Sequence, residues 1–250
     1  MGKIISLINC KGGCGTTTLT AALGHELCAL GKSVCLVDGS IGMRSLDIML
    51  RIQDKVVFDL YDLSEDICAM EQALIAIKPS LYTLAAPQLD VSAELTEKAL
   101  QNLLKRLEKR FDYVLIDLPH AFSTASALFW RNSDESILVT LPGDIAGRNL
   151  ELICGVLREN TPHSVSCIVN FTQPSSKQAE QLQTLASYLD IPIIGIVPFY
   201  EAVFMEALDH RAYDAYPGKI KAAVRSAAKR LDENGGSLNL YRTRRLPWHS

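Results

Sequence analysis

The segment Asn9-Cys10-Lys11-Gly12-Gly13-Cys14-Gly15-Thr16-Thr17-Thr18 gathers three glycines, one lysine and a run of threonines. It follows the apolar run Ile4-Ile5-Ser6-Leu7-Ile8 and leads into Leu19-Thr20-Ala21-Ala22-Leu23-Gly24. That order reads as strand, glycine-rich loop, helix start. Successive backbone N–H groups in such a loop, backed by a helix N-terminus, hold phosphate. Gly12, Gly13 and Gly15 allow the unusual torsions and close approach this requires. Thr17 is placed to offer a hydroxyl to Mg²⁺. Two carboxylates end later apolar runs: Asp38 after Val34-Cys35-Leu36-Val37, and Asp117 after Tyr113-Val114-Leu115-Ile116. Mg²⁺ takes oxygen ligands and keeps several waters, so Thr17, Asp38 and Asp117 are the expected metal set. A glycine turn alone is a weak signal, and a strand-end acid is usually a cap. The ordered combination is what points to a nucleotide site.

The elements that must position these residues alternate along the chain. Strands are expected at 3–9, 33–38, 81–86, 113–117, 135–140, 164–170 and 192–197. Most are nearly continuous apolar runs, as when helices cover both faces of a sheet. Helices are expected at 16–30, 91–109, 121–132, 144–159, 175–189 and 218–231, the first stopped by Gly31. Alternating βα units with right-handed crossovers imply an α/β fold: a doubly wound, mainly parallel sheet with helices on both faces. Ligands then bind beyond the carboxyl ends of the strands, where the loop, Asp38 and Asp117 all fall. One domain is expected over 1–232, followed by an irregular basic tail over 233–250 that begins near Asn234-Gly235-Gly236.

The 250 residues suffice for one large core, and the net charge of -3 gives no global drive toward nucleic acid or membrane. The 7 cysteines are odd in number and form no C-x-x-C pair. Reduced, buried thiols in a cytoplasmic protein without a signal peptide are the expectation. No apolar run approaches the roughly 20 residues that span a bilayer.

The segment Lys11-Gly12-Gly13-Cys14-Gly15-Thr16-Thr17-Thr18 resembles the deviant Walker A motif of the MinD/ParA ATPases, K-G-G-x-G-K-T-[ST]. The stretch from Leu36 to Leu50 is similar to the MinD pattern I-D-x-D-I-G-L-R-N-L-D-x-x-x-G, and Val57-Phe58-Asp59 matches the V-x-D that follows. The likeness extends over 3–231. It implies a P-loop fold binding ATP or ADP with Mg²⁺. Lys11 would be the signature lysine, the catalytic group that reaches the partner subunit's phosphates in a face-to-face, nucleotide-dependent homodimer. Gly12, Gly13, Cys14, Gly15, Thr16, Thr17 and Thr18 would wrap the phosphates. Thr17 and Asp38 would sit at Mg²⁺, Asp117 would act through its water shell, and Asn170 with the backbone near Pro198 would meet the adenine.

Two positions depart from that pattern. Thr16 stands where the family has the P-loop lysine, and Ser40 stands where it has the aspartate that positions the attacking water. A charge-assisted hydrogen bond contributes about 1.5–3 kcal/mol. Loss of one such transition-state stabiliser commonly costs roughly 10²–10³ in rate. The expectation is an adenine-nucleotide-binding spatial organiser with weakened or lost hydrolysis, serving division-site placement or polar positioning of a pilus-type assembly (the TadZ/CpaE relatives have degraded loops). Its partner would be a protein of such a system, and its location the cytoplasm, with the membrane or cell pole as a peripheral site. The rival readings are a nucleotide-independent pseudo-ATPase scaffold and a ParA-type DNA-partitioning ATPase. Lys221, Arg225 and Lys229 form a basic stripe at helical spacing that reads as a solvated face before it reads as a DNA contact. The tail 238–250 is basic with apolar anchors, but Pro247 argues against an amphipathic membrane helix.

Overall fold

The computed structural model describes residues 1–89, 95–173, 181, 191–201, 203 and 213–233. Eight strands form one sheet: β1 (Lys3–Asn9), β2 (Val34–Asp38), β3 (Ile75–Lys78), β4 (Leu81–Leu84), β5 (Tyr113–Leu118), β6 (Glu135–Thr140), β7 (Ser164–Thr172) and β8 (Ile193–Pro198). Their order is β3-β4-β2-β5-β1-β6-β7-β8. All pairs are parallel except β3 with β4. The chain reverses winding direction at β1, so the glycine loop leaves the sheet at the switch point where open α/β sheets bind ligands.

The described helices are α1 (Thr16–Ala29), α2 (Leu46–Leu50), α3 (Leu60–Ser64), α4 (Met70–Ala73), α5 (Glu97–Arg110), α6 (Thr124–Arg131), α7 (Asp144–Asn160) and α8 (Gly218–Asp232). Residue parity assigns the faces. Ile5 and Leu7 of β1, with Leu36 of β2 and Leu115 of β5, join α1 and α8 in one apolar core. Ile4 and Ile8, with Val37, Val114 and Ile116, join α5, α6 and α7 in the other. Asp38 and Asp117 share parity with Leu36 and Leu115, which sets both on the α1 side of the sheet. Gly24 lets α1 lie close to β2, since a Cβ there would stand 2.7 Å from Leu36 Cδ2.

The local stops follow side-chain chemistry. Gly31 (φ 86) ends α1, with its N–H on the Cys28 carbonyl and the Lys32 N–H on that of Leu27. Thr96 and Ser123 cap α5 and α6 through their hydroxyls, and Asp59 with Asp62 forms a capping box on α3.

Strand β3 and the short helices α2, α3 and α4 go beyond the sequence reading. Their runs of four or five residues are too short to show a period, and β3 is an edge strand stabilised by pairing with β4. The helix expected at 91–109 begins at Glu97 within the described residues; the helix expected at 175–189 and the tail over 234–250 lie outside them. All seven cysteines are free thiols, six of them buried. Among the described residues no helix is long and apolar enough to cross a membrane.

Candidate functional site

β1 ends at Asn9, whose side chain organises the turn that follows. Its Oδ1 accepts the Lys11 N–H at 2.7 Å and the Cys14 thiol at 3.0 Å. The Cys14 N–H closes the turn on the Lys11 carbonyl. Gly13 and Gly15 take the left-handed conformation, and Gly15 is the N-cap of α1. Gly15 is required by space as well as by torsion: a Cβ would lie 2.6 Å from Asn170 Nδ2. That amide donates to the Cys14 carbonyl at 2.9 Å and is buried. Asn170 at the end of β7 therefore braces the glycine loop from beneath. The sequence places Asn170 at the adenine, through the family resemblance, and assigns Asn9 no role; their bracing of the loop appears only in the fold.

The carboxylates converge as expected. Asp38 and Asp117 are register partners on adjacent strands, and neither is more than 1% exposed. Asp117 Oδ2 accepts the Thr17 hydroxyl at 2.6 Å, and Oδ1 accepts that of Thr20 at 3.4 Å. Thr20 was missed in the sequence, although its i+3 spacing from Thr17 puts it on the same helix face. Asp38 Oδ1 accepts the Ser40 N–H, while Oδ2 accepts those of Ser45 and Leu46 at 2.8 Å each. Burial, and then the charge of Asp38, raises the pKa of Asp117 to about 7 against the lowering effect of the two threonines. Burial also raises Asp38, opposed by the N–H groups of Leu46, Ser40 and Ser45. Two desolvated acids side by side, with Thr17 at hand, offer the oxygen donors that a hard cation prefers. Thr17, Asp38 and Asp117 thus fit Mg²⁺ by oxygen chemistry and proximity.

The two departing positions are both buried and neutral. Thr16 is 4% exposed, with its Oγ1 3.2 Å from the Cys14 sulfur. Its side chain is turned into the loop. Ser40 is 5% exposed and hydrogen-bonds Asp38. Arg44 does not supply the missing charge at this point: its Nε holds Asp47 Oδ2 at 2.5 Å and its Nη2 faces the Gln53 carbonyl. Lys11 is exposed beside the loop.

Two hollows flank these groups. One of about 30 Å³ is lined by Thr18, Asn170, Phe171, Pro198, Val203 and Tyr216. It is mostly apolar, and it lies where the adenine was expected. The other, about 310 Å³, lies between Lys11, Gly12, His120, Phe122, Asn149 and Leu152. Phe122 is 57% exposed and Leu152 60%. Two of the three cations of the basic stripe on α8 have partners within the fold, and the third, Lys229, is exposed. Arg225 Nε meets the buried Glu26 at 2.5 Å, and Lys221 donates to the Asp214 carbonyl and lies over the Tyr213 ring.

The family model described as "AAA domain" matches residues 2–159. The septum site-determining protein MinD of Synechocystis sp. is 34% identical over 203 residues, 79% of this chain and 76% of that protein. MinD of Bacillus subtilis is 31% identical over 240 residues, 92% of this chain and 89% of that protein. Among solved structures, the MinC:MinD cell division protein complex of Aquifex aeolicus superposes with a TM-score of 0.81 at 24% identity, covering 95% of this chain and 98% of that one. MinD of Pyrococcus horikoshii complexed with Mg-ADP gives 0.79 at 24% identity, covering 93% and 97%.

Proposed function

We propose, for a chain that belongs to the MinD/ParA family of P-loop ATPases, that it binds adenine nucleotide with Mg²⁺ and acts as a spatial organiser of cell division whose hydrolytic step is weakened. The observation that carries this reading is the contrast within one site. The phosphate loop, Thr17, Asp38 and Asp117 are assembled, while Thr16 and Ser40 leave it without the family's lysine and aspartate.

The loop from Lys11 to Thr18 surrounds the phosphates, and its backbone N–H groups and the α1 N-terminus supply the attraction. The Thr17 hydroxyl and Asp38 would hold Mg²⁺, with Asp117 acting through its water shell, and the ion would supply positive charge for the phosphate oxygens. Deprotonated Asp117 accepts the Thr17 O–H and so leaves the lone pairs of the Thr17 oxygen turned to a metal. The adenine would lie over the mouth of the apolar hollow between Thr18 and Pro198, which at about 30 Å³ is too small to enclose a purine, with Asn170 in its wall. The Pyrococcus horikoshii neighbour, complexed with Mg-ADP on the same fold, supports that ligand class.

Hydrolysis needs charge on the β- and γ-phosphates and a group that orients water. Thr16 has neither charge nor reach, and Ser40 is short and neutral. Lys11 is exposed at the mouth of the site beside Phe122 and Leu152. In a face-to-face homodimer it would reach the partner's nucleotide while those apolar side chains are covered. Division-site placement is favoured over a pilus role because the curated relatives are septum site-determining proteins, and the Aquifex aeolicus neighbour in complex with MinC makes a division protein the kind of partner to seek. A cytoplasmic protein docking peripherally at membrane or pole fits this role. Lys221 and Arg225 of the α8 stripe are tied to Asp214 and Glu26, which weighs against DNA partitioning.

Calorimetric titration with ATP and ADP, with and without Mg²⁺, tests the reading. Saturable, Mg²⁺-dependent heat is expected. Silence up to millimolar nucleotide sinks it in favour of a nucleotide-independent scaffold.

A further inference from the structure

The two hollows beside the phosphate loop lie toward opposite ends of the sheet order. The one proposed for adenine is lined by Asn170 of β7 and Pro198 of β8. The cavity of about 310 Å³ is lined by Lys11 and Gly12 after β1 and by His120 and Phe122 after β5. β1 and β5 are parallel neighbours, with Ile8 opposite Leu118, so the segments leaving them start side by side at the carboxyl edge. Asp117 of the proposed metal set is also on β5. The strand order from that side is β5-β1-β6-β7-β8. A nucleotide laid across the loop with its base toward β7 and β8 therefore runs its phosphates toward β5. The larger cavity stands at the terminal-phosphate end.

The polar side chains around this cavity are of two kinds. Asn9 and Asn149 are spent on the loop: Asn9 Oδ1 accepts the Lys11 N–H and the Cys14 thiol, and Asn149 Nδ2 donates to the Cys10 carbonyl at 3.3 Å. His120 is exposed and makes no hydrogen bond or ion pair among the described residues. Its backbone is nonetheless anchored. Pro119 before it has a locked φ. The Ala121 carbonyl after it accepts the indole N–H of the buried Trp130 at 3.0 Å. A free imidazole is thus held on a fixed segment at the cavity wall. No acid lines this cavity, so an anion entering it meets no like charge there.

The site has a use for such a group. Thr16 carries no charge, and Arg44 is held by Asp47. The family resemblance commits Lys11 to the phosphates of the partner subunit.

We propose that His120 recognises the terminal phosphate: its imidazole N–H donates to the γ-phosphate of ATP bound in the same subunit and sets the preference for triphosphate over diphosphate. The inference rests on the nucleotide reading given above. An imidazole has an N–H to donate whether it is neutral or protonated. Hydrogen bonds to an ionised phosphate are among the stronger ones.

The test measures, by calorimetry on the full chain, affinity for Mg-ADP and for the Mg²⁺ complex of the non-hydrolysable β,γ-imido analogue of ATP. The wild type should prefer the analogue. His120→Ala should weaken the analogue about tenfold while Mg-ADP stays within about twofold of wild type. His120→Lys, which keeps a donor, should recover most of the loss. Equal losses for both nucleotides give His120 a structural role and overturn the proposal. So does a wild type without the preference, or an analogue affinity that His120→Ala leaves unchanged. The titrations are repeated at tenfold lower protein concentration. A preference that disappears on dilution belongs to the contact between subunits and also overturns the assignment. If Mg-ADP does not bind the wild type, the nucleotide reading falls and takes this inference with it. If Mg-ADP binds and the preference ignores His120, only this inference falls.

Discussion

Asp38 and Asp117 face each other as register partners on neighbouring parallel strands, and their carboxylates are satisfied from opposite directions. Asp38 takes three backbone N–H groups from the loop that leads into α2. Asp117 takes two threonine hydroxyls from α1. The pair thus couples the phosphate-loop helix to the segment after β2 through two buried acids. Like charges this close raise each other's pKa, and a divalent cation relieves the conflict.

The pH dependence of metal binding follows from that pair. Asp117, raised to about 7, must lose its proton to serve a metal. Mg²⁺ affinity in the presence of nucleotide should therefore rise as pH goes from 6 to 8, with proton release on binding in calorimetry buffers of different ionisation heat. Asp117→Asn should flatten the rise. A wild-type affinity independent of pH over this range contradicts the assignment.

Stability without metal carries two opposing slopes. Asp117 has a folded pKa above its usual value, so it stabilises the fold at low pH and loses that contribution as pH rises from about 4 through about 7. His25 has a folded pKa lowered to about 4, so its contribution is present above its ordinary pKa and is lost as pH falls toward 4. Denaturant midpoints between pH 4 and 6.5 report the balance of these slopes, to which Asp38, also raised by burial, adds in the sense of Asp117. Asp117→Asn should tilt that balance toward stability rising with pH, and His25→Gln should tilt it toward falling.

Hydrolysis should respond to restored charge. Thr16→Lys alone should raise ATP turnover, and Thr16→Lys with Ser40→Asp should raise it further, by roughly 10²–10³ over the wild type. Phosphate release under saturating Mg-ATP is the measurement. A wild-type rate equal to that of the double variant removes the claim of a weakened step.

Gly15 and Asn170 should behave as one unit. Gly15→Ala adds a Cβ 2.6 Å from Asn170 Nδ2 and imposes φ 84 on alanine, so it should destabilise the fold and suppress nucleotide binding. Asn170→Ala leaves the buried Cys14 carbonyl without its amide, at a cost of about 1–3 kcal/mol. The double variant relieves the clash but keeps the strained torsion, so its loss should be smaller than the sum of the two. Additive losses in chemical denaturation refute the contact.

Glu26 anchors α8 against α1. Glu26→Ala strips the partner from the Tyr213 hydroxyl and from Arg225, and should cost about 1–3 kcal/mol. Arg225→Ala should lower Tm while leaving duplex-DNA sedimentation at its background level across a salt series. A selective loss of DNA sedimentation in that variant would restore the partitioning reading.

Much of this was legible in the chain itself. The seven mostly apolar runs, the stop at Gly31 and the loop from Lys11 to Thr18 were enough to place a mainly parallel sheet and its ligand edge. Each rests on local chemistry: periodicity, torsional freedom, and the need for both sheet faces to be covered. β3 was not legible, because a four-residue edge strand has no period and exists through its partner. Nor were the engaged states of Arg44 and Arg225, since a cation in a sequence carries no sign of the acid that the fold brings to it.

The sequence by itself determined the family, the glycine-rich loop, the strand-end acids Asp38 and Asp117 proposed with Thr17 for a metal, and the two neutral replacements at Thr16 and Ser40. Those are properties of residue type and spacing along one strand–loop–helix path. The tertiary structure decided what those residues touch: Asn170 under Gly15, Thr20 on Asp117, and Thr16 turned toward Cys14. These contacts join segments far apart in the chain, and only the close packing of α1 between the sheet, α2 and α8 brings them within hydrogen-bonding reach.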